Sequence, residues 1–143
     1  MSYFTNELSL QLPGVRYTDQ SINILKFPDL GSTLVISRGA IEAGQTLEST
    51  FTAQIAALKA TAPDFEEGPR ATLRIGKTAT IEAIETRTSF TQGEAHIHQY
   101  QLACQLPDDD LMVAFTYARA APFEAHDTEF WTRIKQSIEL VGA

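Results

Sequence analysis

In the stretch Asp19-Gln20-Ser21-Ile22-Asn23-Ile24-Leu25-Lys26-Phe27, apolar side chains recur at a spacing that predicts a β-strand with two apolar faces. Side chains alternate across a strand, so Leu25 and Phe27 point one way and Ile22 and Ile24 the other. A small domain covers one such face with its own core. The second face must be covered by another layer or left for a partner. Pro28-Asp29-Leu30-Gly31 predicts a turn, and residues 33–38 then form the hairpin partner, again with Leu34 and Ile36 on one face and Val35 on the other.

The rest of the chain reads as further strands and two helices. Leu8, Leu10 and Leu12 alternate with polar residues in a first strand that ends at Pro13-Gly14. Residues 46–61 predict a helix, with Thr46 as N-cap, Glu48 at the positive helix end and Pro63 as the stop. Residues 70–75 and 78–90 predict a hairpin turning at Gly76-Lys77. Residues 94–106 and 111–118 predict another, turning through Pro107-Asp108-Asp109-Asp110. Asp127 is the expected cap of a final helix whose inner stripe is Phe130, Ile134, Ile138 and Val141. Antiparallel strands with two separated helices indicate an α+β fold, an antiparallel β-sheet flanked by helices, in one domain over residues 1–143.

With 143 residues, 43% of them hydrophobic, a chain of this kind can bury a full core. Its formal net charge of −7 argues against nucleic acid, whose binding rests on Lys and Arg replacing counterions, and against anionic lipid. Cys104 is the sole cysteine, so no intrachain disulfide forms. The N-terminal residues lack a basic and apolar leader, and no run of about 20 apolar residues is present. The expected location is the cytoplasm, without direct membrane insertion.

Four constellations are candidates for chemistry. Gln54 falls in the stripe made by Leu47, Phe51 and Leu58, an amide amid apolar residues. Either it bonds to a nearby backbone carbonyl in the core, or it faces a cleft and bonds to something that docks there. In the strand 95–106, His96, His98, Tyr100, Leu102 and Cys104 share one face; Ala95, Ile97, Gln99, Gln101, Ala103 and Gln105 share the other. The second face carries no charge. Its hairpin partner adds Met112, Ala114, Thr116 and Ala118, so the surface is either a neutral outer face or one that another backbone approaches closely. His96 and His98, with His126, offer a metal-ligand alternative to simple packing. The aspartates at 108–110 lack the oxygen-ligand spacing of a calcium loop and read as a solvated turn. No nucleophile, phosphate-loop or zinc-protease motif is present, so no catalytic centre, metal or cofactor is expected.

The block Asp19-Gln20-Ser21-Ile22-Asn23-Ile24, followed by Val35-Ile36-Ser37-Arg38, resembles the DcrB-related family (DUF1795), and within it the Eag chaperones of bacterial type VI secretion. The resemblance spans nearly the whole chain in element order and is sharpest in these two blocks. It implies a Mog1/PsbP-like fold. It also implies a homodimeric, non-enzymatic chaperone that shields hydrophobic N-terminal transmembrane segments of effectors and aids their loading on the VgrG spike. On that resemblance Ile22 and Ile24 line the client groove, Gln54 contacts the client from the first helix, and the second client-binding amide is Gln99 or, allowing a one-residue gap, Gln101; Ile97, on the uncharged strand face, is expected to extend the apolar surface. The alternatives are a protein-binding regulatory module on the same fold, or a small metal-dependent enzyme using His96 and His98.

Overall fold

The computed structural model describes residues 2–106 and 110–140. Seven strands form one antiparallel sheet in the order β3-β4-β9-β8-β7-β5, with β6 also paired to β7. These are β3 (Ile22–Phe27), β4 (Ser32–Ala40), β5 (Glu66–Glu67), β6 (Ala71–Ile75), β7 (Ile81–Gln92), β8 (Ala95–Gln105) and β9 (Leu111–Arg119). A separate two-stranded sheet pairs β1 (Ser2–Phe4) with β2 (Ser9–Gln11). The α+β expectation therefore holds, with helices α1 (Leu47–Thr61) and α2 (Ala125–Ser137). The β7-β8-β9 meander follows from local hairpins, whereas the pairing of β4 with β9 joins segments distant in sequence.

Helix α2 covers most of one face of the sheet, leaving Leu25 of edge strand β3 46% exposed. Trp131 lies flat against Tyr117, their rings 5.7 Å apart and within 1° of parallel, and stacks on Tyr100 at 5.9 Å. Leu34, Leu102, Cys104 and Phe115 complete this core. Such rings bury large apolar areas and fix orientation through their preferred stacking geometry. The indole N–H is satisfied by donating to Glu85 Oε2 at 2.7 Å, and Lys135 Nζ bonds to the same carboxylate at 2.9 Å.

Helix α1 covers part of the opposite face. Phe51 and Ile55 pack on Ala103, Ala114 and Met112, with Ile41, Leu47 and Ile84 alongside. The two alanines leave room for a helix to approach the sheet closely. Thr46 is the N-cap, as the sequence predicts: its Oγ1 accepts from Ser49 N at 3.0 Å, and Ser49 Oγ returns a bond from Thr46 N at 2.9 Å.

Three expectations change. The final helix is capped by Glu124, not Asp127. Asp127 lies inside the first turn, fully buried, where its Oδ2 accepts from Glu124 N and from Arg119 Nη1, both at 2.8 Å. A carboxylate three residues past the cap reaches back to the cap's own N–H, which is why the sequence signal slipped by three positions. Gln54 is exposed rather than central, because the buried stripe of α1 runs through Phe51 and Ile55. In α2, Trp131 is the buried anchor, Phe130 and Ile134 are partly buried beside it, and Ile138 is the C-cap. Val141 and residues 107–109 of the expected aspartate turn lie outside the described residues.

Candidate functional site

The polar residues of the Asp19–Ile24 block have structural partners. Asp19 Oδ1 accepts from Ser21 N at 2.9 Å, and Asp19 Oδ2 accepts from the Tyr3 hydroxyl at 2.9 Å, tying the N-terminal hairpin to the start of β3. Hydrogen bonds from Ser21, first from its side chain and then from its backbone, hold the Asp19 carboxyl below its ordinary value. On the other strand of the hairpin, Arg38 Nη1 donates to Asn23 Oδ1 at 2.9 Å and to Ser21 O at 3.2 Å. The two isoleucines have no such account: Ile22 and Ile24 are each 60% exposed. Folding alone does not explain large β-branched side chains held in water.

Register shows what accompanies them. Ile24 stands opposite Val35, Val35 opposite Thr116, Thr116 opposite Gln101, and Gln101 opposite Thr86. The next row runs Lys26, Thr33, Ala118, Gln99, Thr88. The row on the other side runs Ile22, Ser37, Ala114, Ala103, Ile84, and it is here that α1 docks, on the alanines. Ile97, two residues before Gln99, belongs to the same face and is half-buried. Ile22, Ile24, Ile97, Gln99 and Gln101 are therefore brought onto one face, with Lys26 the only charge in the two rows beyond α1. Gln54 is exposed on α1, the helix that borders this face.

The two glutamines are not independent. Thr116 Oγ1 donates to Gln101 Oε1 at 2.7 Å, Gln101 Nε2 donates to Gln99 Oε1 at 2.6 Å, and Thr88 Oγ1 donates to Gln99 Oε1 at 3.2 Å. The chain of bonds crosses three strands. Sequence reading identified the amides and listed Thr116 on their face, but it missed Thr88 and the bonds that join the four side chains. Strand alternation places Thr116 on this face, and only the register shows that it meets Gln101. The face is an open surface rather than a closed chamber. Two cavities, of about 960 and 700 Å³, lie elsewhere, and neither is lined by Ile22, Ile24, Gln54, Ile97, Gln99 or Gln101.

The histidines divide. His96 and His98 pack edge to face, ring centres 5.0 Å apart, on the α2 side of the sheet, with His98 beside Phe123. Burial first, then the nearby His96 and Arg87, push the His98 imidazole below its ordinary pKa. His126 instead meets Glu124 and Asp127, each at 3.4 Å. The acidic and imidazole groups that come within metal-ligand reach of one another among the described residues are these three, without His96 or His98. No helix among the described residues is long and apolar enough to cross a membrane.

A family model described as DcrB matches residues 7–137. The crystal structure of PA94 from Pseudomonas aeruginosa, a protein of unknown function, superimposes with a TM-score of 0.79 at 20% identity, covering 100% of this chain and 98% of that one. That likeness shows a shared fold. Comparison with curated proteins yields no match.

Proposed function

This chain belongs to the DcrB family, and from that premise we propose that it is a non-catalytic chaperone or adaptor whose open sheet face receives an apolar helical segment of another polypeptide. Within the family the reading follows the Eag-type chaperones. The client is the N-terminal transmembrane region of a type VI secretion effector, held in the cytoplasm and delivered with the effector to the VgrG spike. The single observation that carries the proposal is the exposure of Ile22 and Ile24 on a face that α1 only half covers.

A lone transmembrane helix in water exposes many large side chains, each worth about 1.5–3 kcal/mol on burial. Ile22, Ile24, Val35 and Ile97 supply matching apolar area. Gln54, Gln99 and Gln101 supply hydrogen bonds for the polar atoms of the client. This is recognition of a helix by an apolar surface with a few directional contacts. The protein acts as a homodimer, so that two such faces enclose more of the client than one.

Co-expression with an effector's N-terminal region gives a stable complex that co-purifies. Replacing both isoleucines (Ile22→Asp with Ile24→Asp) abolishes the complex while the variant keeps its native circular dichroism and melting transition. These side chains lie outside both core clusters, so the fold does not need them. Undiminished client capture by that folded double variant overturns the proposal. Light scattering of the client-free protein gives twice the protomer mass; a monomer at micromolar concentration refutes the dimer.

A further inference from the structure

The turn that starts α2 puts Glu124, His126 and Asp127 side by side, with one donor atom from each lying within 4.8 Å of the other two. Asp127 is fully buried, and its two oxygens differ. Oδ2 accepts from Arg119 Nη1 and from Glu124 N, both at 2.8 Å. Oδ1 is buried and has no hydrogen-bond partner among the described residues. A buried carboxylate oxygen left unsatisfied is costly, so it calls for an account beyond folding. The group it faces is His126, whose Nε2 lies 3.4 Å away. That separation is long for a hydrogen bond, whose N···O distance is about 2.7–3.2 Å. It matches the spacing of two ligands on one Zn²⁺: donors each about 2.0–2.1 Å from the metal, at tetrahedral angles, stand about 3.3–3.4 Å apart.

We propose that Glu124, His126 and Asp127 form a binding site for a divalent transition metal of the Zn²⁺ class, with water completing the coordination. Asp127 Oδ1 is the fixed ligand, because Arg119 and the cap N–H hold the other oxygen in place. Outer partners commonly orient a ligating carboxylate in this way. Glu124 Oε2 lies 3.4 Å from Nδ1 of the same imidazole, and the side chains of His126 and Glu124 are 53% and 63% exposed, so both close on the metal by rotation. The imidazole favours Zn²⁺, Co²⁺ or Ni²⁺ over Mg²⁺ and Ca²⁺, which take oxygen ligands. The electrostatics permit a cation here. The two carboxylates and the Arg119 guanidinium leave one net negative charge, of which the positive end of α2 offsets about half. The chain as a whole carries −7. His96 and His98 stand outside the group. The inference is independent of the client reading of the open sheet face.

Calorimetric titration of Zn²⁺ into the full-length, untagged protein tests the site and gives one metal per protomer. Co²⁺ in its place gives the strong visible absorption of a four-coordinate ion. Zn²⁺ at about 100 times its Kd raises the melting temperature by about 5–10 °C. His126→Ala keeps the fold, because the ring is exposed and lies outside both core clusters, and it lowers the affinity at least about 100-fold. Glu124→Gln weakens binding by a smaller factor, and His96→Asn with His98→Asn leaves it unchanged. Undiminished Zn²⁺ binding by folded His126→Ala overturns the site. Loss of binding in the His96 and His98 variant alone overturns it too, by placing the metal at the other two histidines. Equal affinity for Mg²⁺ or Ca²⁺ overturns the imidazole as a ligand. Absence of saturable, stoichiometric Zn²⁺ binding by wild type overturns the proposal outright.

Discussion

Burial pushes the Cys104 thiol up to about 11, in a site where its side chain touches only the core under α2. A thiol reagent therefore reacts negligibly at neutral pH until the chain is unfolded, and rapid labelling of native protein contradicts this packing. His98 answers to pH in the opposite sense to a salt-bridged histidine. Its folded pKa lies below 6.5, so between that value and 6.5 the unfolded chain binds a proton that the folded chain does not. Stability consequently falls as pH drops through this window and levels off below it. Urea midpoints measured at pH 7 and pH 5 show the loss, and His98→Asn reduces it. An unchanged difference assigns the effect to other groups. Asp127 is more demanding, since its carboxylate is fully buried and bonds to both Arg119 and the cap N–H of α2. Asp127→Ala removes the carboxylate from Arg119, whose Nη1 keeps only the Pro122 carbonyl, and frees the cap N–H of α2; the loss is about 3 kcal/mol, read from denaturant midpoints.

At the scale of elements, the two helices have different duties. Helix α2 is held by Trp131, whose removal opens a void between Tyr100 and Tyr117. Trp131→Ala costs about 3–5 kcal/mol, which lowers the melting temperature sharply. Helix α1 is held by Phe51 and Ile55 and started by Thr46, so Thr46→Ala costs about 1 kcal/mol. Both helices are visible in the sequence because their caps and apolar spacing are local signals. The docked face of α1 is less visible. Residues 47, 51, 54 and 58 make as good a stripe on paper as one through Ile55. The choice was made by Ala103 and Ala114, which lie about fifty residues or more away and present the flat patch onto which Phe51 and Ile55 fit. The same holds for the cap of α2, where Arg119 draws Asp127 inward. Neither β1 nor the short β5 has enough alternation to be read without its partner strand.

For the whole molecule, α2 covers one face of the sheet apart from Leu25 at its edge, and α1 covers part of the other. Its edge strand β3 projects Ile22 and Ile24 from the open side. The N-terminal hairpin adds further exposed apolar groups, Phe4, Leu8 and Leu10 among them, and is tied to the body by Tyr3 and Asp19. A protein built this way binds an apolar dye in its native state. The Asp substitutions at Ile22 and Ile24 reduce that binding, and under the proposed function a client peptide displaces the dye. Native protein that leaves the dye dark contradicts an accessible apolar face.

Strand alternation, turn residues and caps sufficed to determine the α+β class, the three hairpins β3-β4, β6-β7 and β8-β9, the first helix and the placement of Ile22 and Ile24 opposite Leu25 and Phe27, because each depends on residues a few positions apart. Which apolar face is filled and which is left open was decided only when β4 paired with β9 and each helix chose its side. The joining of Gln99 and Gln101 to Thr88 and Thr116 likewise needed the register of three strands. Those outcomes turn on contacts between segments far apart in the chain, and local periodicity carries no information about them.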